Sequence, residues 1–382
     1  MGETVLATYA AMIRRLTERW LPAVVADAAV ERKGGDFVCS PVGLWLGLVV
    51  LATGARGETA AELRSLLGVA GEEAAPVATE AARSLAHTDA LAIATGAWTR
   101  VPTYRAYRES LPDVGFGGLD PADVAEIDAW VCEATGGLIR TLPVTVDRDT
   151  LMILANALAL KARWAVPFSW RNTMDRDFTD GTGRRHRVPT MHTSVPLADA
   201  WTVSGGSYAG STVVELRCLA GAGGDPARVR LVLGAPGASA ATVLPAAWAP
   251  EAGRTTIDAD EVSMRVPRLC LRTRLDVVGH LAALRVRAAQ TARADFSGAS
   301  PEALRIDQVV QEAVLKIAEK GVEAAAVTAS AAVAAGGMAR PPRRVVHVAF
   351  DRPFGVVVLD GSGAVPLFTA WQSSVPEDVP AA

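Results

Sequence analysis

The hydrophobic pattern of this chain changes character part-way along, and that change restricts its folds more than any other feature. Over the first ~150 residues apolar side chains recur mainly at helical spacing, whereas from Val188 onward they form short Val- and Leu-rich runs bounded by Gly or Pro. Leu6, Tyr9, Ile13, Leu16 and Trp20 share one helical face. Ser40-Pro41 opens the apolar segment VGLWLGLVVLATG, with serine placed to cap and proline at the first helical position, and Gly54 closes it. Glu58-Thr59 begin a further helix, and AEIDAWVCEATGGLI groups Ile127, Trp130 and Val131 before the Gly136-Gly137 stop. Strands are expected in SGGSYAGSTVVELRC, RVRLVLGAP, DEVSMRVPRLCLRTRL and FGVVVLDGSGAVPLFTAWQ, with helical interludes at DVVGHLAAL and around Gln308–Glu319. TLMILANALALKARW (150–164) suits either a helix or a buried strand. Helices first and strands later imply an α+β fold. With no internal repeat and no linker, residues 1–382 are expected to form a single domain.

Composition narrows the function. Half the residues are hydrophobic and 21% are charged, which supports a substantial core. A formal net charge of -3, with aromatic content of 5%, argues against nucleic acid as a partner. No apolar run reaches ~18 residues without charge or Gly/Pro, so no membrane association is expected. Arg14, Arg15, Glu18 and Arg19 interrupt the start where a secretion signal would be apolar. A cytoplasmic location is therefore expected, or an extracellular one if a leader has been removed. Cys39, Cys132, Cys218 and Cys270 form no CxxC pair and are expected to be buried free thiols. GxSxG, HExxH, GxxxxGK[ST] and GxGxxG are absent, and the five histidines lack metal-ligand spacing. No enzyme, metal or cofactor is expected.

One segment fits none of this. GVEAAAVTASAAVAAGGMARPPRR, 321–344, is poor in bulky apolar groups yet lies between the apolar stretch IDQVVQEAVLKIAEK and the strand signal VVHVAFDRPFGVVVL. Structureless segments of this length inside compact domains are uncommon and usually functional or disordered.

The ordered motifs resemble those of the serpins, the serine-protease-inhibitor fold. FVCSPVGLWLGLVVLATGARGETAAEL, IDAWVCEATGGLI, LANALALKARWAVPF, VPTMH, ADFSGAS, VVQEAVLKIAEKGVEAAAVTA and FDRPFGVVVL carry the likeness in family order over almost the whole chain. The resemblance implies three β-sheets with eight to nine helices and an exposed reactive-centre loop at about 320–344. It implies an irreversible suicide-substrate inhibitor of an elastase-, subtilisin- or chymotrypsin-like serine protease, a monomer held to its target as a covalent acyl-enzyme. A non-inhibitory serpin (chaperone, carrier or plain substrate) is the alternative. The hinge would comprise Glu319, Gly321, Val322, Glu323, Ala324, Ala325 and Ala326. Counting from Glu319 as in the family puts the reactive bond at Ala335-Gly336, with Met338-Ala339 as the runner-up. Ser40, Asn156 and Gln311 would form the shutter, and Trp164 the breach where insertion begins. Gly43 and Gln311 stand where the family commonly has serine and histidine, so a rewired network is expected.

The segment's chemistry agrees with insertion into a sheet. Val322, Ala324, Ala326, Thr328, Ser330 and Ala332 alternate along one face, while Glu323, the segment's only acidic residue, falls on the other. No proline occurs from Gly321 to Ala339, so every amide is free to join a ladder. The basic cluster Arg340, Arg343 and Arg344 reads as a solvated run.

Overall fold

The computed structural model describes residues 4–87, 91–120, 124–142, 144–160, 163–206, 208, 210–220, 226–321 and 344–378. Its helices are α1 (Val5–Val25), α2 (Ala28–Glu31), α3 (Pro41–Gly54), α4 (Gly57–Leu67), α5 (Ala74–Ala86), α6 (Arg105–Glu109), α7 (Val124–Ala134) and α8 (Ala240–Val243). The Thr4 hydroxyl caps α1, whose inward stripe buries Leu6, Ile13, Leu16 and Trp20. α3 is apolar all round and buried along its full length, so it lies inside the molecule rather than on it. Ser40 caps it by accepting from the Gly43 amide at 3.1 Å. Gly136 and Gly137 follow α7 with positive φ, the stop expected of them.

Three sheets accompany the helices. One runs β1 (Phe37–Cys39), β16 (Pro366–Gln372), β15 (Phe354–Leu359), β9 (Arg228–Leu233), β8 (Thr212–Arg217), β7 (Ala200–Val203), β10 (Arg254–Thr256). A second runs β14 (Val345–Ala349), β11 (Glu261–Pro267), β6 (Arg185–Val195), β5 (Met174–Thr179). The third, five-stranded, runs β12 (Leu269–Asp276), β13 (Gln308–Ile317), β4 (Met152–Leu160), β2 (Leu91–Thr99), β3 (Gly115–Gly118).

Two expectations need correction and one is decided. Gln308–Ile317 is strand β13, not a helical interlude. Its helix formers are overridden because alternate residues serve two covered faces. Val309, Ala313 and Leu315 join the main core, whereas Val314 packs with the smaller core under α7. The same alternation settles Met152–Leu160 as strand: Met152, Leu154, Leu158 and Leu160 face the main core, and Ile153, Ala155 and Ala157 face α7. Of the expected buried thiols, Cys39 and Cys218 are buried but Cys132 and Cys270 are half-exposed. Burial pushes the Cys39 thiol up to about 12, which leaves it unreactive at neutral pH.

Candidate functional site

The middle of the five-stranded sheet holds a parallel pair. β13 lies directly against β4, from Gln308 opposite Ile153 to Val314 opposite Ala159. Every other neighbour of these two strands, β12 and β2, is antiparallel. The chain leaves β13 at this seam and immediately reverses. Ala318 and Gly321 exchange both backbone bonds, at 3.1 and 3.2 Å, across a turn formed by Glu319 and Lys320. Gly321 has φ +129, outside the range favoured by residues with a side chain. It also forms an antiparallel bridge with Arg163 beyond β4. The turn therefore sits astride the upper end of the seam, with the chain pointing down it.

Side chains lock that turn. The Trp164 indole donates to the Ala318 carbonyl at 2.8 Å, and the Trp164 and Phe168 amides donate to the carbonyls of Lys320 and Glu319. Arg268 forks onto the Glu319 carboxylate at 2.6 and 2.9 Å, and the Thr173 hydroxyl donates to the same group at 2.6 Å. Burial alone would raise the Glu319 carboxyl; these donors outweigh it and hold it below the ordinary carboxylate range. Arg268 also reaches Asp378 at 3.3 Å, which ties the end of the described chain to the turn.

Lower down, a polar row crosses the seam. The Asn156 amide donates to the Thr95 hydroxyl at 2.9 Å, and the Gln311 amide donates to Asn156 Oδ1 at 3.3 Å. Gln311 also closes a two-point contact with the Ser40 backbone, accepting from its amide at 2.7 Å and donating to its carbonyl at 2.9 Å. The Ser40 hydroxyl donates to the Leu367 carbonyl at 2.6 Å. Five elements, β2, β4, β13, α3 at its cap and β16, are thus joined through buried groups, each with a partner. Gly43 lies against this row: a Cβ there would stand 2.2 Å from Asn156 Oδ1 and 2.6 Å from Leu158 Cδ1.

The front of the seam is covered by α7 and the chain that follows it. Ile139 and Leu142 pack on Ile153, Ala155 and Ala157 of β4. The same stretch is tied to β12 and β13 by polar bonds. Arg272 donates to the Leu138 carbonyl at 2.9 Å, Arg274 to the Thr141 hydroxyl at 3.2 Å, and the Gln308 side chain pairs with the Thr145 backbone. Both arginines also hold Glu312, which is fully buried, at 3.2 and 2.9 Å.

Of the residues singled out from sequence, Ser40, Asn156 and Gln311 meet in one network, and Trp164, Glu319 and Gly321 meet in another. Val322, Glu323, Ala324, Ala325 and Ala326, and both candidate bonds, Ala335-Gly336 and Met338-Ala339, lie outside the described residues. Arg344 is exposed, as a solvated residue would be, and it pairs with the exposed Asp258 while its amide donates to Asp260; Arg340 and Arg343 lie outside the described residues. Thr95, Thr173 and Arg268 escape sequence reasoning. Their partners lie far along the chain, and only the register of the sheet unites them.

A family model described as serpin (serine protease inhibitor) matches residues 23–372. Putative serpin-Z12 of Oryza sativa subsp. japonica is 30% identical over 376 residues, spanning 90% of this chain and 86% of that one. A serine protease inhibitor of Rattus norvegicus is 27% identical over 367 residues, spanning 90% and 84%. Among solved structures, the thermophilic serpin tengpin in its native state superposes with a TM-score of 0.79 at 20% identity, covering 98% of this chain and 95% of that chain. Human thyroxine-binding globulin gives 0.76 at 20% identity, covering 98% and 100%.

Proposed function

Because the chain belongs to the serpin family, we propose that it inhibits a serine protease by offering a bond near Ala335 as substrate and then inserting the segment after Gly321 into the seam between β4 and β13. The protease serine adds to the Ala335 carbonyl, the bond to Gly336 breaks, and the freed amine leaves with a proton. The enzyme is left as an acyl ester on Ala335. No residue of the inhibitor performs this chemistry; the chain supplies the bait and the driving force.

One observation carries the proposal. Gly321 is in antiparallel register with both Arg163 on the β4 side and Ala318 on the β13 side. Continued downward, both registers bring residue 328 to one level, opposite Asn156 and opposite Gln311, which are themselves neighbours. Thr328 would enter where Gln311 now donates to Asn156, and its hydroxyl donates and accepts, so the row survives with one more member. Val322, Ala324, Ala326, Ser330 and Ala332 share its face and would turn to the main core, and Glu323 would turn away from it. Insertion also exchanges one parallel interface for two antiparallel ones, the slightly more stable pairing.

Incubation with pancreatic elastase, chymotrypsin and subtilisin tests this directly. An SDS-stable complex, with release of a C-terminal peptide beginning at Gly336, is expected. Clean cleavage without any complex would instead make the chain a non-inhibitory member, a carrier or plain substrate.

A further inference from the structure

The four-stranded sheet holds a cluster of basic side chains that the seam does not use. Arg265 pairs with His192, Ser263 with His347, and Arg176 with Val188, so alternation puts Arg176, His192, Arg265 and His347 on one face, one from each strand. Arg176 and Arg265 line a cleft of about 140 Å³ whose floor includes Phe178, Val188 and Phe350, all buried. Two carboxylates reach its rim, but both are engaged: Asp177 with Arg187 at 3.2 Å and Asp351 with Arg352 at 3.3 Å. Among the described residues, the half-buried Arg265 guanidinium has no acceptor, and Arg176 reaches only the Met174 sulfur at 3.8 Å. Burial, and then the charges of Arg265, His347 and Arg176, depress the His192 imidazole against the opposing pull of Glu261 on the same face, so the arginine charges outweigh the carboxylate at this point.

A guanidinium withdrawn from water is ordinarily paired, and its planar fork matches the oxygens of an oxyanion. The half-buried Arg265 fork and the exposed Arg176 fork line one small cleft, and the described chain supplies neither with a carboxylate. We propose that the cleft is an oxyanion site, taking one phosphate- or sulfate-class group between Arg176 and Arg265. An anion there would cross-link β5 to β11 and lie against Ala349 and Phe350, the residues through which β14 leaves the sheet. The site does not depend on whether the chain inhibits a protease.

Inorganic phosphate, titrated at constant ionic strength with chloride as the balancing anion, is the probe. Calorimetry and the His192 ring resonances in NMR are the readouts. Saturable binding at one site is expected, weakened at least about tenfold in Arg176→Gln/Arg265→Gln and not reproduced by chloride. A response that fails to saturate, or equal affinity in the variant, overturns the proposal. Should the double variant fail to fold, the exposed Arg176→Gln alone serves: weakening of about fivefold is expected, and unchanged affinity overturns it.

Discussion

Individual side chains set how firmly the seam is closed. At Gly43, Gly43→Ala places a methyl against Asn156 and Leu158, so the shutter must shift or strain, at about 1–3 kcal/mol. A lowered unfolding midpoint is expected in denaturant, and an unchanged one would show that α3 simply moves aside. Glu319 makes a pH-dependent contribution. Its folded-state pKa is depressed, so its stabilisation is complete above the ordinary value of about 4.5 and is lost as pH falls through the folded value. Glu319→Gln leaves the largely buried Arg268 with only the exposed Asp378 as a charge partner and is expected to cost about 3 kcal/mol at pH 7. That difference from the wild type should shrink steadily below about pH 4.5, as followed by thermal unfolding in a pH series. A penalty equal at pH 7 and pH 3 would mean that the carboxylate charge is irrelevant to the turn.

On the proposed mechanism elements have to move as units, and the stretch after α7 is the one in the way. It grips β4 through Ile139 and Leu142 and grips β12–β13 through Arg272, Arg274 and Gln308, so it staples together the two strands that insertion must part. Arg272→Met/Arg274→Met/Glu312→Gln removes the two arginine ties of the staple without stranding a buried carboxylate. Complex formation with a reacting protease is expected to quicken about tenfold, the equivalent of about one hydrogen bond to a charged group; an unaltered rate would place the barrier elsewhere. On the incoming side, Val322→Arg or Ala326→Pro should turn inhibitor into substrate, since a charge would face the main core or an amide would be lost from the ladder. Unchanged stoichiometry in both would exclude insertion. Much at this scale is legible in sequence. The Ser40 cap and the Gly54 and Gly136-Gly137 stops are local patterns. β13 is misread because Gln311 and Glu312 look like solvent-facing helix residues, and their burial makes sense only with Ser40 and Arg274 beside them, partners 271 and 38 positions distant. Thr95, Thr173 and Arg268 are illegible for the same reason: each acts on a residue 51 to 146 positions away.

For the whole molecule, the proposed insertion implies a state held by a barrier rather than by lowest free energy. An added strand of ~12 residues, at roughly 0.5–1.5 kcal/mol per net hydrogen bond, gives on the order of 10 kcal/mol before ordering costs. Limited proteolysis near Ala335 should therefore raise the calorimetric melting temperature markedly, and identical melting before and after cutting would contradict a spring-loaded fold. The bridge between Gly321 and Arg163 adds a ruler to the spring. Carried to the far end of β4, its register would put residue 332 of an inserted strand level with Met152, so on the proposed mechanism a cut after Ala335 would leave 333–335 as the leash between sheet and captive enzyme. A cut after Met338 would lengthen that leash by about 10 Å at the usual strand rise. The enzyme would then hang clear of the inhibitor's lower pole instead of being pressed against it, with room to recover and hydrolyse itself free.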